Sequence, residues 1–415
     1  MRIAFFNYSD LASGAEALID DTITTLLARG VEARLYVMDQ FTDRPYVRQL
    51  PHFPGERRVE YWFRKATGWN NVMYPSTMFL GFDRWIKGAD VWHFHNLHGH
   101  FASIPMLARL SRKRAVVLSP VDQFLATGYC TYTLGCNRFR DACGECPQLD
   151  LPYPGISRDA TASLLAIKKS AINKSRFNIL VHTKYLAEFY ASTFVAQCPI
   201  EQMYYGVNTK IFRPLDRSFA ARQFAITPDA DVLTIGLIHS DIDDKRKGLL
   251  SYLDPLKELA NKFPGRIRVL LVGRASDQIK SFSSNIMPIL TLPFQTGKES
   301  LAAALNLCDL LLYPTRADNL SLTCLNALAC GVPVISSDVG GQSEAVIDNV
   351  NGFLCNPDRP EEFIERIDQM VRMSDLVNRL SLGARKSATE KFDLDVYVDK
   401  LIEYYDRVAR RHDHA

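Results

Sequence analysis

Short apolar runs alternate with segments of helical spacing along most of the chain. The first run, Ile3 to Tyr8, is followed by a helical segment ending at Ala28 and by a second run, Glu32 to Met38. Runs of this length predict buried strands, and strands that alternate with helices predict a parallel sheet with right-handed crossovers. Further strands are predicted at Val91 to Phe94, Ala115 to Ser119, Asn178 to Thr183, Val232 to Leu237 and Arg268 to Val272. The pattern therefore predicts an α/β protein.

The length of the chain predicts two domains. With 415 residues it exceeds the size at which a single hydrophobic core stops growing. The segment Tyr204 to Pro214 separates the first series of strands from the second, so the boundary is predicted near Asn208. Apolar positions at helical spacing predict a closing helix from Phe392 to Arg411.

Residues 309–357 have the most informative pattern. A predicted strand, Leu310 to Tyr313, is stopped by a proline and followed by the polar loop Thr315 to Asn319. A helical segment and a second predicted strand, Val332 to Ser336, lead to the pair Gly340 and Gly341. Ligands of open α/β sheets bind at the carboxyl ends of the strands, so both loops are expected to border a ligand. The helix start after Asn319 offers free N–H groups that suit a phosphate.

This stretch resembles the donor-site signature of retaining glycosyltransferases of family 4. The family has an acidic residue, seven residues, then Glu in E-A-x-A-x-G-x-P-V, followed by G-G-x-x-E. Asp318 occupies the first acidic position and Glu344 the last, whereas Asn326 stands where the family has the glutamate that holds the nucleotide ribose. An amide keeps hydrogen-bonding capacity but loses the charge and one acceptor oxygen.

The resemblance extends from Ile3 to the tail and implies the GT-B fold, in which two Rossmann-like, doubly wound domains face a central cleft. Residues 204–214 resemble the family linker P-N-G-[IV]-D-x-x-x-F-x-P. The implied N-terminal, acceptor-side domain comprises residues 1–208 plus about 396–415, because the closing helix of the family crosses back. The implied domain that binds the nucleotide-sugar donor comprises residues 209–395.

Two further segments match donor-phosphate motifs of the family. Lys245-Arg246-Lys247-Gly248 follows a predicted strand, where the family clamps the donor diphosphate. Lys247 is the favoured clamp with Arg246 as its partner, and Lys245 is a weaker candidate. Ser13-Gly14-Ala15-Glu16 follows the first strand in place of G-G-A-E, which leaves Gly14 for close approach of the backbone.

The implied donor site thus has a catalytic and a binding part. Asp318, Lys247 and Arg246 are predicted to be catalytic. Predicted to bind the donor are Gly14, Lys245, Asn319, Leu320, Ser321, Asn326, Gly340, Gly341 and Glu344.

Four histidines lie within the segment Asp90 to His100. A metal site is disfavoured, because alternation along a strand sends His93 and His95 to one face and leaves the others in a loop. The segment resembles D-[VI]-[VI]-H-x-H-N-x-H-G of the family, which requires no metal there. His95, Asn96 and His98 are therefore predicted on the acceptor side. Asp122, which matches an aspartate of the family further along the chain, is predicted there as well. The family's histidine before Asp122 normally reaches the transferred sugar, and that position is Val121.

Cys130, Cys136, Cys143 and Cys146 lie within seventeen residues, with the spacing C-x5-C-x6-C-x2-C. A structural zinc site is favoured, and two disulfides or a reduced cluster are alternatives. The region resembles a subset of family 4 enzymes from surface-polysaccharide pathways. The matching residues are Thr127-Gly128-Tyr129-Cys130, Cys146-Pro147-Gln148-Leu149 and Tyr153-Pro154, with Tyr129 in place of a histidine.

Composition changes this picture little. The chain is 47% hydrophobic and 23% charged, and its net charge of +3 is too mild to indicate nucleic-acid binding. No signal peptide or membrane span is predicted, so a cytoplasmic location is expected, where disulfides are disfavoured. Basic clusters lie in the first half, and Tyr61 to Lys65 mixes aromatic and basic residues. Solvated surface is the favoured interpretation of the basic clusters. The alternative, for which the mixture of aromatic and basic residues is typical, is a peripheral contact with the inner face of a membrane or with a lipid-phosphate acceptor.

The leading interpretation is a retaining, metal-independent hexosyltransferase. A nucleotide sugar would be its co-substrate, and a glycan or lipid-linked molecule its acceptor, in polysaccharide or glycoconjugate synthesis. The alternative, motivated by Val121 and Asn326, is a degenerate, weakly active or inactive relative that binds a sugar nucleotide or a partner enzyme. A nucleotide-sugar dehydrogenase or epimerase is disfavoured because no G-x-G-x-x-G follows the first strand.

Overall fold

The computed structural model describes residues 1–11, 14–149, 158–229, 231–274 and 286–413. Ser13 and the Tyr153-Pro154 match lie outside these residues. The described residues divide into two compact units. Unit 1 contains those within 1–11, 19–204 and 397–415, and unit 2 contains those within 12–18 and 205–396.

Unit 1 is built on a seven-stranded sheet whose paired strands are all parallel. The order of its strands is β3-β2-β1-β4-β5-β6-β7. The strands are β1 Arg2–Ser9, β2 Glu32–Asp39, β3 Val47–Gln49, β4 Val91–His95, β5 Val116–Ser119, β6 Phe177–Val181 and β7 Ile200–Gln202. Every residue of β4 and β5 is buried, as expected for central strands covered on both faces.

The α-helices of the first half connect these strands, and the final helix of the chain lies largely in unit 1. They are α1 Ala15–Ala28, α2 Glu56–Thr67, α3 Arg84–Lys87, α4 Ile104–Leu110, α5 Thr161–Asn173, α6 Lys184–Ala191 and the final α13 Leu394–Asp413. Side-chain caps fix several starts: Ser103 Oγ accepts from Met106 N before α4, and Thr183 Oγ1 accepts from Leu186 N before α6.

Unit 2 contains a second parallel sheet, of six strands in the order β10-β9-β8-β11-β12-β13. Its strands are β8 Leu233–Asp241, β9 Ile267–Arg274, β10 Ile289–Leu292, β11 Leu310–Tyr313, β12 Val334–Ser337 and β13 Gly352–Cys355. The helices of this half are α7 Arg217–Gln223, α8 Leu253–Lys262, α9 Lys298–Leu305, α10 Leu322–Ala329, α11 Pro360–Arg372 and α12 Ser374–Lys391.

Each sheet has one point at which the order of the strands reverses. In unit 1 it lies between β1 and β4, and in unit 2 between β8 and β11. Loops at the carboxyl ends of two such strands diverge to opposite sides and leave a crevice, which is where doubly wound folds bind ligands. The predicted α/β class is confirmed, and each strand predicted from an apolar run is present within a few residues of its predicted bounds.

Candidate functional site

The ammonium group of Lys247 and the carboxylate of Asp318 form an ion pair at the switch point of unit 2. Lys247 lies in the turn after β8, and Asp318 lies in the loop after β11. Lys247 Nζ is 2.6 Å from Asp318 Oδ2, and the same oxygen accepts a 2.6 Å hydrogen bond from the hydroxyl of Tyr313, which also contacts Lys247 Nζ. These contacts use two of the three N–H donors of the ammonium group, so one remains for an anionic ligand.

The environment holds this pair in its charged form. Burial alone would raise the pKa of Asp318, but Lys247 and Arg246 outweigh it and keep that pKa below its usual range. Burial lowers the pKa of Lys247, and Asp318 opposes this shift. Burial and the adjacent Asp318 raise the pKa of Tyr313, so its hydroxyl stays a donor. The result is a buried cation in an electrostatically fixed position, which suits a phosphate group.

Arg246 joins the two loops of the switch point. Its Nη1 donates to the carbonyl of Ala317 at 2.8 Å, and its own carbonyl accepts from Arg316 N at 2.8 Å. The side chain therefore supports the loop that carries Asp318, in addition to any contact with a donor phosphate. Lys245 is exposed beside it.

Gly248 and Gly340 permit backbone approaches that other residues would obstruct. Gly248 has φ +67°, and a Cβ there would lie 2.7 Å from the carbonyl oxygen of Pro314. Gly340 has φ +58°, and a Cβ there would lie 1.8 Å from the carbonyl oxygen of Asp318. Next to it, Gly341 N donates to Asn319 O at 2.6 Å. The predicted Gly-Gly loop is thus in direct contact with the predicted acidic loop.

Helix α10 begins directly after the loop that carries Asp318. Ser321 caps the helix, its Oγ accepting from Cys324 N at 3.3 Å, and the side chains of Asn319 and Leu320 are buried. Within α10, Asn326 is half-buried and shares the less buried side of the helix with Leu322 and Thr323.

Glu344 and Gly14 are the two remaining predicted donor residues. Glu344 ends a short 3-10 helix, Gln342–Glu344, and its carbonyl accepts from Lys391 Nζ at 2.5 Å. Gly14 precedes α1 with φ +51°, and a Cβ there would meet no atom within 4 Å. Its backbone conformation, rather than close packing, favours glycine at this position.

Unit 1 has its own site at the ends of β4 and β5. His98 Nδ1 is 2.6 Å from Asp122 Oδ2, and Asp122 Oδ1 accepts from Phe124 N at 2.9 Å. His98, Asp122 and Asn96 line one cavity together with Ser119 and Phe124. The predicted acceptor-side residues Asn96, His98 and Asp122 are thereby brought together.

His95 does not line that cavity. It is buried in the core, stacked on Phe5 with ring centroids 5.8 Å apart, and its ring lies 4.0 Å from that of His93. His93 contacts the hydroxyls of Ser119 and Tyr405, each at 2.6 Å. Burial lowers the pKa of both histidines, to about 3 for His95, so the two rings are neutral. As predicted, His93 and His95 lie on the same face of β4.

The four clustered cysteines line a second cavity of unit 1, with Arg138 and Thr161. All nine cysteines lie within the described part of the chain, and each is a free thiol, so the disulfide alternative is absent from the structure. Burial raises the pKa of Cys130 to about 12, and the neighbouring Cys146 and Cys143 act in the same direction. In the described ranges, no three His, Cys, Asp or Glu side chains are grouped closely enough to hold a metal ion.

Tyr313 and Lys168 are two contributors that the sequence pattern did not reveal. Tyr313 ends a strand that reads as an apolar run, and its role depends on the adjacent turn after β8. Lys168 belongs to a basic stretch that resembles solvated surface, but its Nζ is buried and donates to the carbonyls of Phe124 and Thr127 at 2.7 and 2.9 Å. A lysine at helical spacing among apolar residues of α5 is the signal that could have found it.

Comparison with known proteins agrees with this geometry. The family model of glycosyl transferases group 1 matches residues 238–387, which lie within unit 2 and include Lys247, Asp318 and Gly340. The similarity to this family therefore covers most of the described part of unit 2.

Two curated relatives show the range of similarity. The D-inositol 3-phosphate glycosyltransferase of Segniliparus rotundus is 26% identical over 96% of this chain and 85% of its own length. The putative colanic acid biosynthesis glycosyl transferase WcaC of Escherichia coli K12 is 23% identical over 60% of each chain. The chain spans about half the length of several other curated relatives that it matches.

Solved structures confirm the fold. The Anabaena protein HepE, in complex with UDP-glucose, superposes with a TM-score of 0.69 at 16% identity, covering 98% of this chain and all of that one. The predicted GT-B fold, with two Rossmann-like parallel-sheet domains, is therefore confirmed.

Proposed function

We propose that the protein is a retaining glycosyltransferase that moves a hexosyl group from a nucleotide sugar to a glycan or lipid-linked acceptor. The observation that supports this most directly is the Lys247–Asp318–Tyr313 cluster at the switch point of unit 2. A buried cation next to a carboxylate offers complementary partners for a donor phosphate and for sugar hydroxyls. The relatives named for glycosyl transfer support the same reaction class.

The proposed step needs no protein nucleophile and no metal ion. The bond between the anomeric carbon and the diphosphate oxygen breaks, and the acceptor oxygen bonds to the same face of that carbon. The proton of the acceptor hydroxyl passes to the departing phosphate oxygen. Negative charge grows on the diphosphate during this step, and Lys247, Arg246 and the N–H groups at the start of α10 would stabilise it.

His98, Asn96 and Asp122 are proposed to contact the acceptor. The carboxylate of Asp122 fixes the ring orientation of His98 through the 2.6 Å contact to Nδ1. Such a fixed ring can hydrogen-bond a hydroxyl group of an incoming acceptor in a defined orientation.

Release of free nucleotide from a panel of UDP, GDP and dTDP sugars tests the proposal. At least one donor should release nucleotide slowly by hydrolysis in water, and faster by sugar transfer when a suitable acceptor is present. Asp318→Asn should lower this turnover strongly. The control is Asp254→Asn, which removes a carboxylate from α8 of the same unit and should leave the turnover unchanged. If no donor is bound or consumed, the glycosyltransferase proposal is wrong.

The second candidate is a binding protein that retains the fold with little or no activity. The substitutions Asn326 and Val121, at positions where the family carries functional side chains, favour it. Tight binding of a nucleotide sugar with no nucleotide release, with every acceptor offered, would support this candidate over the enzyme.

We also propose that the cysteine cluster binds one structural zinc ion. Four thiols that line one cavity match the ligand chemistry of such a site, and a divalent cation would stabilise the thiolates that burial disfavours. Binding would require the sulfur atoms to approach one another. When bound, zinc would cross-link the loop of residues 130–146 through its four cysteines and stabilise the folded protein.

Zinc content and stability test this site. Protein purified without added zinc should contain about one zinc ion per chain, and Cys143→Ser should lower its thermal stability while leaving kinetic constants nearly unchanged. Cys198→Ser, at a buried thiol of unit 1 outside the cluster, should retain the metal. A zinc content near zero, with four titratable thiols in the folded protein, would contradict the proposal.

Within the described residues, no helix is long and apolar enough to cross a membrane. We propose a cytoplasmic location with a peripheral membrane contact through unit 1.

A further inference from the structure

An exposed apolar surface occupies one segment of unit 1, residues 53–82. Large hydrophobic side chains there remain in solvent, with 64% of Trp62 and 79% of Phe82 exposed. We call this surface the aromatic face, and it consists of Phe53, Val59, Tyr61, Trp62, Phe79 and Phe82. Patches of this kind in soluble proteins mark interaction sites.

The sequence builds part of this face by burying two acids of α2 and leaving Trp62 exposed. Helix α2 carries Glu56 and Glu60 on its inner side and Trp62 on its outer side. Glu56 accepts from Ser76 N at 2.7 Å, which fixes the 3-10 helix Pro75–Phe82 next to the start of α2. An amphipathic helix normally buries its large apolar side chains, so the exposure of Tyr61 and Trp62 indicates a partner for the outer side.

The aromatic side chains of this segment form two groups, one around the 3-10 helix and one on α2. Phe79 contacts Phe53 and Phe82, with ring centroids 5.2 and 5.4 Å apart. On α2, the rings of Tyr61 and Trp62 lie 5.4 Å apart. The exposed rings therefore present grouped apolar area rather than isolated side chains.

Exposed charge around the face is positive. Between residues 53 and 88 the acids are Glu56, Glu60 and Asp83. Glu56 and Glu60 are buried, and Asp83 caps α3 by accepting from the N–H groups of Trp85 and Ile86. The exposed charged side chains of this segment are Arg57, Arg58, Lys65, Arg84 and Lys87, of which Arg57 pairs with Asp39 at 2.7 Å.

We propose that the aromatic face binds the surface of an anionic phospholipid bilayer. Trp, Tyr and Phe side chains insert at the level of the headgroups, while the arginines and lysines around them attract anionic lipid. A second copy of the chain fits less well, because a two-fold contact would bring the same positive side chains together. The inference rests on the peripheral membrane contact proposed for unit 1 and assigns that contact to one defined surface.

Vesicle co-sedimentation tests this inference with the full chain. The protein should sediment with vesicles of mixed phosphatidylcholine and phosphatidylglycerol, and not with pure phosphatidylcholine. Trp62→Ser with Phe82→Ser, and separately Arg58→Glu with Lys65→Glu, should each weaken binding by about tenfold or more. Matched controls are Leu382→Ser, at a 75% exposed leucine of unit 2, and Lys169→Glu with Lys174→Glu, at exposed lysines at the end of α5, outside residues 53–82. Both controls should sediment like the parent.

Three results would overturn the proposal. The first is a parent protein that does not bind anionic vesicles, and the second is binding of both test variants as tight as that of the parent. The third is a change in oligomeric state alone, measured by sedimentation velocity, which would identify a protein interface. Binding of nucleoside diphosphate should be the same in both test variants and the parent, so failure here is distinguishable from failure of the glycosyltransferase proposal.

Discussion

Lys168 places a buried amino group inside unit 1, between the acceptor-side residues and the cysteine loop. Its Nζ donates to the carbonyls of Phe124 and Thr127, and it lies 3.3 Å from the ring centroid of Phe124. Phe124 N is bound by Asp122, and Thr127 Oγ1 donates to Cys130 O at 2.6 Å. This side chain thus supports both the acceptor-side loop and the start of the cysteine loop.

Replacing this lysine should cost stability in a pH-dependent way. Lys168→Met leaves two buried carbonyl groups without a donor, a loss of about 1–3 kcal/mol in the free energy of unfolding. Burial lowers the pKa of Lys168 to about 7 from its ordinary 10.5. Between these values the unfolded chain holds the proton and the folded protein does not, so the contribution of Lys168 to stability grows as the pH rises.

Urea unfolding of the parent and Lys168→Met at several pH values from neutral upward measures this effect. The difference in unfolding free energy between them should increase toward high pH. Lys169→Met, at the exposed neighbour, serves as the control and should show no such trend. A difference that is constant with pH would mean that Lys168 keeps its proton in the folded protein.

Asn326 is the residue at which nucleotide-sugar binding should differ from that of related glycosyltransferases. Its amide both donates and accepts, whereas the carboxylate of the family only accepts. Because Gly340, Gly341 and Asp318 keep their mutual contacts, we expect Asn326→Glu to tighten nucleotide-sugar binding or to leave it nearly unchanged. Calorimetric titration measures this, and a loss of about tenfold or more, roughly 1.4 kcal/mol, with the fold intact would indicate a pocket built around the amide.

Among the elements, the loop after β12 depends on glycine at one position. Gly340 has a left-handed backbone, and Gln342 just after it is fully buried with no hydrogen-bond partner for either amide atom. The loop is therefore held by close backbone contact with Asp318 and Asn319 rather than by the Gln342 side chain.

Gly340→Ala should disrupt both loops of the donor site. Its Cβ would collide with the carbonyl of Asp318, so the expected loss exceeds the roughly 1–2 kcal/mol that a left-handed non-glycine residue costs. Gly265→Ala is the matched control, with φ +74° and no atom within 4 Å of the added Cβ. Equal unfolding free energies and equal donor affinities for the two variants would contradict the close-contact account.

At this scale the sequence predicts central strands well and edge strands poorly. β1, β4 and β11 are largely apolar and largely buried because neighbours cover both faces. β3 Val47–Gln49, β7 Ile200–Gln202 and β10 Ile289–Leu292 are short and partly exposed at or near sheet edges, so they lack that pattern. Lys247 and Asp318 were predicted from a family pattern. Their ion pair, and the contact between Tyr313 and Lys247, exist because β8 lies next to β11. The order of strands in a sheet is not encoded in hydrophobic periodicity.

For the whole molecule, the two units repeat one topological plan. Each parallel sheet reverses its order once, and the residues predicted to act lie in loops beside those reversals, Asp318 and Lys247 in unit 2 and His98 in unit 1. Polar and charged side chains are held there by short contacts. The same plan therefore gives one unit a cation for a phosphate and the other an oriented histidine for a hydroxyl group.

The central claim is that Lys247 binds the diphosphate of a nucleotide donor. Calorimetric titration with UDP, GDP and dTDP should find at least one nucleoside diphosphate that binds the parent. Lys247→Ala should weaken that binding by about 1.5–3 kcal/mol, the value of a charge-assisted hydrogen bond, while Lys262→Ala on the exposed end of α8 should bind like the parent. If folded Lys247→Ala binds as tightly as the parent, or if the parent binds none of the three, the assignment of this site is wrong.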